Sequence, residues 1–391
     1  MKFGPGLVIT SAFIGPGTVT LCLLAGVASG NTLLWAVVFS TIATIILQDM
    51  CVRLGFYTKM GLEENIKLKM EDNAFLPIIS ALIFVAIIFG NTAYQSGNIA
   101  GTAMGIELIT GNVISRSIVI VIIYIFCVLS ILFLNYNKIK DLLSLLVFAM
   151  SFTFVTLALL YFPSIKDFLK GCFIPVFQSK DVLLIMGLIG TTVVPYNLFL
   201  HTSLVSKQNE LDLQEIRKDS FWAIIIGGVI SMAIVIIGSK GQGMNIETTA
   251  DMAAILKNTT KNYSNILLGL GLFAAGLTSA LTAPIAAGFV AAGLLGWSKD
   301  LNYIKTKGVV LFVLTIGFLV TLLNVRNIEI IKTAQVINGV LLPIFAIFLL
   351  LVLNDRRVIK VHMNTTLQNI LGVFILFITI ILAYKSILSL F

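Results

Sequence analysis

The sequence predicts an all-α integral membrane protein of about eleven transmembrane helices, in two inverted repeats of five with one helix appended. Three observations lead there. Hydrophobic residues fill 58% of the 391 positions and charged ones only 11%, at a mean hydropathy of +1.03. A soluble domain carries about a quarter charged residues. The apolar residues fall into eleven stretches, each reaching the ~17 residues needed to cross the hydrocarbon core. Two proline breaks, Gly15-Pro16-Gly17-Thr18 and Val194-Pro195-Tyr196-Asn197, lie 179 positions apart, close to half the chain.

The stretches run over 6–28, 32–52, 75–105, 116–135, 142–162, 182–205, 221–239, 264–296, 308–324, 333–353 and 367–389. The first follows Met1-Lys2 as a signal peptide would, but its length, its internal Gly-Pro-Gly and the apolar neighbour at 32–52 mark a retained helix. The connection 53–74, with Glu63, Glu64, Lys67, Lys69, Glu71 and Asp72, reads as a surface helix. The polar connection 240–263 reads as a cap over a vestibule. Short loops leave no room for a soluble domain. One membrane domain is expected over 1–391: a first repeat at 1–162, a second at 182–353 and an appended helix at 367–389. Five spans per repeat is an odd number, so the second repeat must insert upside down.

With the N-terminus in the cytoplasm, cytoplasmic segments hold sixteen of the 26 Lys and Arg residues. That bias favours this orientation and, with eleven spans, a C-terminus outside. The net charge of +8 reflects the same asymmetry; no basic run or zinc-ligand spacing indicates nucleic acid. Cys22, Cys51, Cys127 and Cys172 are scattered, without a C-x-x-C pair. The composition, short loops and lack of a targeting segment point to a cell membrane, of the prokaryotic inner-membrane kind. A monomer is the default.

Proline in a spanning helix removes a backbone hydrogen bond, and in lipid the freed groups must face protein, water or ligand. Paired breaks in corresponding positions of two halves mark the midplane substrate site of a secondary transporter. Glycines on both sides of Pro16 let bare backbone approach a ligand. On the third stretch Asn91, Gln95, Asn98 and Thr102 form one helical stripe, read as lining a wet cavity, with interhelical hydrogen bonding as the other reading. On the eighth, Gly276, Ala280, Pro284, Gly288 and Ala292 form a small-residue packing seam; Thr278, Ser279 and Thr282 lie beside it. No nucleophile, paired carboxylate or metal cluster suggests an enzyme, and no cofactor is expected.

These residues resemble the Nramp family of divalent-metal transporters over nearly the whole chain. The resemblance runs through Gly4-Pro5-Gly6 and the first break, Leu33-Leu34-Trp35 to Gln48, Arg53-Leu54-Gly55, Gly271 to Gly293, and Gln335-Val336 to Pro343. Its most specific part is Gly190-Thr191-Thr192-Val193-Val194-Pro195-Tyr196-Asn197-Leu198-Phe199-Leu200-His201-Thr202-Ser203. The resemblance implies the amino acid transporter-like (LeuT-type) fold, with helices 1 and 6 unwound. It also implies transport of a divalent cation of the manganese, iron or magnesium class.

The departures fall on the chemistry. Where the family has a metal-binding Asp, Asn and Met, this chain has Gly15, Thr18 and Val194; the family's carbonyl ligand corresponds to that of Thr191. The histidine after the sixth-helix proline is Tyr196, the later one is kept as His201, and acidic positions on the third helix are Gln95 and Asn98. A dehydrated transition metal needs anionic oxygen or sulfur, whereas a hydrated cation asks less of its ligands. Proton relays need titrating groups, and His201 alone remains. The expected pathway residues are Gly17, Tyr196, Asn197, Asn91, Gln95, Asn98, His201 and Gln335. The local chemistry alone leaves a second reading open, a neutral or zwitterionic organic solute whose carboxylate meets the amides after Pro16.

Overall fold

The computed structural model describes residues 14–133, 136–178, 181–208, 210–260, 263–323 and 326–388. Gly4-Pro5-Gly6 and residues 6–13 of the first predicted span lie outside them. The described residues form α-helices and short 3-10 turns, with no β-strand among them. In chain order the helices are α1 Pro16–Ser29, α2 Leu34–Thr58, α3 Leu62–Lys69, α4 Leu76–Thr110, α5 Arg116–Phe133, α6 Tyr136–Leu160, α7 Ile165–Phe173 and α8 Val182–Thr192. There follow α9 Pro195–Ser206, α10 Leu213–Gly238, α11 Thr249–Thr260, α12 Ser264–Leu295, α13 Ile304–Thr321, α14 Asn327–Leu353, α15 Arg356–Ile359 and α16 Thr366–Leu388.

Nine segments among the described residues are long and apolar enough to cross a membrane. The first, Pro16–Thr58, holds two predicted spans, α1 and α2, separated by a 3-10 turn at Gly30–Leu33. The fourth, Val182–Ser206, joins α8 and α9 across the second break. The predicted span 142–162 falls in α6, whose apolar run among described residues is Ser151–Leu160. The predicted surface helix within 53–74 is α3, and the polar connection 240–263 contains α11. These two helices mark opposite ends of the bundle, called here the α3 end and the α11 end.

Both breaks are real interruptions, and each restarts on its proline. Gly15 is extended (φ −101°, ψ −176°) before α1. Val193 and Val194 leave helical geometry between α8 and α9. Proline suits the first helical position because its missing N–H has no intrahelical partner there. The same deletion strips the carbonyl four residues upstream of its donor; for Pro195 that carbonyl is Thr191's.

Close packing of α1, α4, α10 and α12 fixes the breaks in place. A Cβ at Gly101 of α4 would collide with the Pro16 ring, so that glycine seats the first break. A Cβ at Gly26 of α1 would meet the Val235 carbonyl, and one at Gly238 of α10 the Leu23 carbonyl. On the predicted seam of α12, Gly276 faces Thr102 of α4 and Gly288 faces Val310 of α13. That seam is internal packing.

Candidate functional site

The two breaks meet at a pair of threonines. Thr18, one turn into α1, and Thr191, in the last turn of α8, place their hydroxyl oxygens 2.8 Å apart, both fully buried. Gln335 of α14 completes the junction. Its carboxamide lies against the α-carbon of Gly17, and its backbone carbonyl lies where a Cβ on Gly190 would fall. Gln335 is 2% exposed, and its Oε1 has no hydrogen-bond partner. Buried polar atoms are normally paired, so this carbonyl oxygen is a group kept available. Asn197, at the start of α9 and 1% exposed, leaves both its Oδ1 and its Nδ2 unpaired. Thr20 Oγ1 and Asn338 Nδ2 are likewise buried without partners.

Hydroxyls occupy the position where the resemblance places a carboxylate. A Cβ on Gly15 would stand 2.7 Å from Ser279 Oγ and 2.9 Å from the Tyr94 hydroxyl. Tyr94 hydrogen-bonds to Ser279 and to Tyr196, and Tyr196 to Thr282. The two tyrosine rings meet edge-on at 5.3 Å. A chain of hydroxyls thus runs from α12 through α4 and α9 back to α12, beside the first break. Tyr94 was not among the residues the sequence singled out. Tyrosine reads as ordinary core on an apolar helix, although it sits one residue before Gln95 in the predicted stripe.

That stripe is an interhelical tie. Pro284 deprives the Ala280 carbonyl of its intrahelical donor, and Gln95 Nε2 donates to that carbonyl at 3.1 Å. Asn91 Nδ2 donates to the Ala283 carbonyl at 3.2 Å. Asn98 Nδ2 reaches Gln95 Oε1 at 3.4 Å, and the Thr102 hydroxyl turns back to the Asn98 carbonyl. These bonds accord with the interhelical reading of the stripe: the amide donors of Asn91 and Gln95 serve backbone carbonyls of α12. The sequence signal for this was Pro284 on the facing helix.

His201 is also fully engaged. Its Nδ1 lies 2.8 Å from Gln48 Oε1, and its Nε2 lies 3.1 Å from the Ser220 hydroxyl. It clasps α9 to α2 and α10. Val194, in the Met position, is 1% exposed and offers no heteroatom beyond its backbone.

The junction is shut. Thr18, Thr191, Tyr196, Asn197, His201 and Gln335 are all at most 2% exposed. On the α11 end a cavity of about 640 Å³ opens above it, between α1, α8, α14 and the segment Gly243–Ile246. Its walls include Leu21, one turn past Thr18, and Val336, next to Gln335. Among the described residues no group of three or more His, Cys, Asp or Glu side chains could hold a metal.

Buried charge appears instead at the α3 end. Glu63, fully buried, meets Lys299 Nζ at 2.5 Å, and Glu64 meets the same ammonium at 2.6 Å. Burial raises the Glu63 carboxyl from its ordinary value, and Lys299 opposes that rise. Burial alone would lower the Lys299 ammonium, but the two carboxylates outweigh it and hold it protonated. Lys207, at the end of α9, donates to the Lys299 carbonyl at 2.5 Å, and Lys67 of α3 to the Leu294 carbonyl at 3.0 Å. The ends of α9 and α12 are both bound to the same small cluster.

Comparison with known proteins agrees with this architecture. Over 94% of its length the chain is 24% identical to the divalent metal cation transporter MntH of Staphylococcus aureus, covering 86% of that protein. A solved manganese transporter of Eremococcus coleocola superposes with a TM-score of 0.81 at 19% identity, over 99% of this chain and 86% of that one. MhsT, solved with L-phenylalanine, superposes with a TM-score of 0.70 at 13% identity over the whole chain. These likenesses establish the LeuT-type transporter fold predicted for the sequence. A profile of the natural resistance-associated macrophage protein-like family matches residues 6–389, and the chain belongs to that family.

Proposed function

We propose that this protein is a secondary transporter of divalent metal cations, with a site between its two breaks that holds the cation through neutral oxygens and retained water. The observation that carries the proposal is the Thr18–Thr191 contact. It joins two of the four positions that the resemblance matches to the family's metal site, near Gln335, whose Oε1 is unpaired. Thr18, Thr191, Gln335 and Asn197 supply uncharged oxygens, and the end of α8 supplies carbonyls; Gly15 and Val194 supply none from side chains. Stripping a divalent ion of its water in such a site is too costly. Magnesium, which keeps several waters and takes few protein ligands, suits it better than manganese or iron. The metal transport named for relatives favours this reading over an organic solute.

Transport is not proton-coupled in this reading. A relay needs titrating groups; Gln95 and Asn98 do not titrate, and both ring nitrogens of His201 are engaged. The repeats are 1–162 and 182–353, with 367–389 appended. The α3 end, richer in Lys and Arg, faces the cytoplasm of a cell membrane, and the 640 Å³ cavity faces out.

Uptake into proteoliposomes tests the proposal. Magnesium and manganese should both enter, saturating only at high concentration, without acidifying the lumen, and Thr18→Val should slow entry. Accumulation of amino acids with no divalent-cation uptake would overturn it.

A further inference from the structure

The bundle carries a second cavity, remote from the breaks, whose chemistry suits an amphiphile. It has a volume of about 460 Å³ and lies between α2, α10 and α16 near the α3 end. Its charged and amide-bearing lining residues, Asp49, Gln214, Arg217, Lys218 and Gln368, lie toward the α3 end, with apolar side chains deeper in. On α10 the order inward from the α3 end is Arg217, Lys218, then Phe221 and Ile224. On α16 it is Gln368, then Leu371; on α2, which runs the opposite way, Asp49 precedes Ile46 and Ile45. Residues flanking the crevice face outward: Ile42 is 51% exposed, Trp222 62% and Ile370 60%. The crevice therefore opens sideways to the hydrocarbon, and Trp222 sits near the level where interfacial aromatic residues concentrate.

Charge selects the occupant. Arg217 binds Asp49 through Nε at 2.5 Å, which leaves its two terminal nitrogens without a protein partner among the described residues. Lys218 is exposed beside it. Arg53 also lies 3.5 Å from Asp49, so two guanidinium groups share one carboxylate, and Lys218 lines the same mouth beside Arg217. A planar guanidinium with two free donors is the geometry that grips a phosphate. Basic pockets between spanning helices bind anionic lipid headgroups, with about 1 kcal/mol from each Lys or Arg near the surface.

We propose that this crevice is a binding site for an anionic phospholipid, its phosphate on Arg217 and Lys218 and an acyl chain along Ile45, Ile46, Phe221 and Ile224. The site is independent of the cargo. Its inner wall includes Ser220, whose hydroxyl contacts His201 on α9.

The test is native mass spectrometry of the full chain in detergent with added phosphatidylglycerol, phosphatidylcholine or glycerol 3-phosphate, paired with thermal unfolding. Phosphatidylglycerol should be retained as a stoichiometric adduct and raise the melting temperature. Lys218→Gln should weaken retention about fivefold. Ile46→Trp, which fills the apolar end, should weaken it while sparing the basic mouth. Lys218 is exposed, so Lys218→Gln tests the site without disturbing the fold. Equal retention of phosphatidylcholine, equal protection by glycerol 3-phosphate, or an adduct indifferent to both substitutions would overturn the proposal.

Discussion

The middle of the bundle and its α3 end bury polar groups in opposite ways. At the breaks, buried side chains are hydroxyls and carboxamides, several without partners, and among the described residues no group of three or more His, Cys, Asp or Glu side chains gathers. At the α3 end a fully buried carboxylate is held by an ammonium shared with a second carboxylate. Burying an ion pair is costly and tolerable only with excellent geometry. A chain that keeps Glu63 at one end has not lost the capacity to hold buried charge. The neutrality of the centre is therefore a property of the site, and it rests on Gly15, Tyr94 and Ser279.

The sharpest way to break this comparison is to remove charge where it is paired. Lys299→Ala leaves Glu63 buried with its counter-ion gone and should cost about 3–5 kcal/mol, read as a drop in thermal unfolding temperature. Replacing both members, Glu63→Leu with Lys299→Met, should recover most of that loss. If Lys299→Ala melts like the parent, the cluster holds nothing together.

The next prediction adds charge where there is none. Gly15→Asp should destabilise by about 1–3 kcal/mol through overpacking, because its Cβ lands 2.7 Å from Ser279 Oγ and 2.9 Å from the Tyr94 hydroxyl. Adding Tyr94→Phe and Ser279→Ala should relieve the clash and create manganese affinity measurable by calorimetry. Gly15→Asp alone binding manganese as tightly as the triple variant would mean that the hydroxyls do not guard the position.

His201 separates a structural clasp from a proton relay. His201→Leu leaves Gln48 and Ser220 without their partner, at about 1–3 kcal/mol for each buried group. Uptake per folded molecule should keep the parent's dependence on pH; a shifted pH profile would give the histidine a titrating role.

The smallest effect belongs to a partly buried surface acid at the α3 end. Lys69 first, then Arg357, hold the Asp355 carboxyl well below its ordinary value. A depressed acid stabilises the fold above its unfolded value of about pH 4 and loses that contribution as pH falls through the lower folded value. Asp355→Asn should flatten the acid limb of the stability profile by less than about 1 kcal/mol.

Much of this was legible in the sequence. Composition and the spacing of apolar stretches gave the spanning helices, because hydrocarbon admits little else. The prolines marked both breaks, and Gly190 to Ser203 carried the family. What could not be read was how polar residues pair across helices. Gln95 looks like pore lining until Pro284 is seen to free the Ala280 carbonyl it serves, and Asn91 until it is seen to reach the Ala283 carbonyl beside that proline. Tyr94 looks like core until Gly15 is found beneath its hydroxyl. His201 looks like a free titrating group until Gln48 and Ser220 close on it. Each depends on contacts between different helices, from 19 positions apart (His201–Ser220) to 192 (Asn91–Ala283), which periodicity along one helix does not encode.

The most direct test is titration of manganese into the purified wild-type protein by calorimetry, with Thr18→Val in parallel. With hydroxyls, carboxamides and helix-end carbonyls around the two prolines, no saturable heat should appear at micromolar manganese in either protein. Micromolar binding by the wild type that disappears in Thr18→Val would show that a neutral pocket can hold a bare transition metal after all.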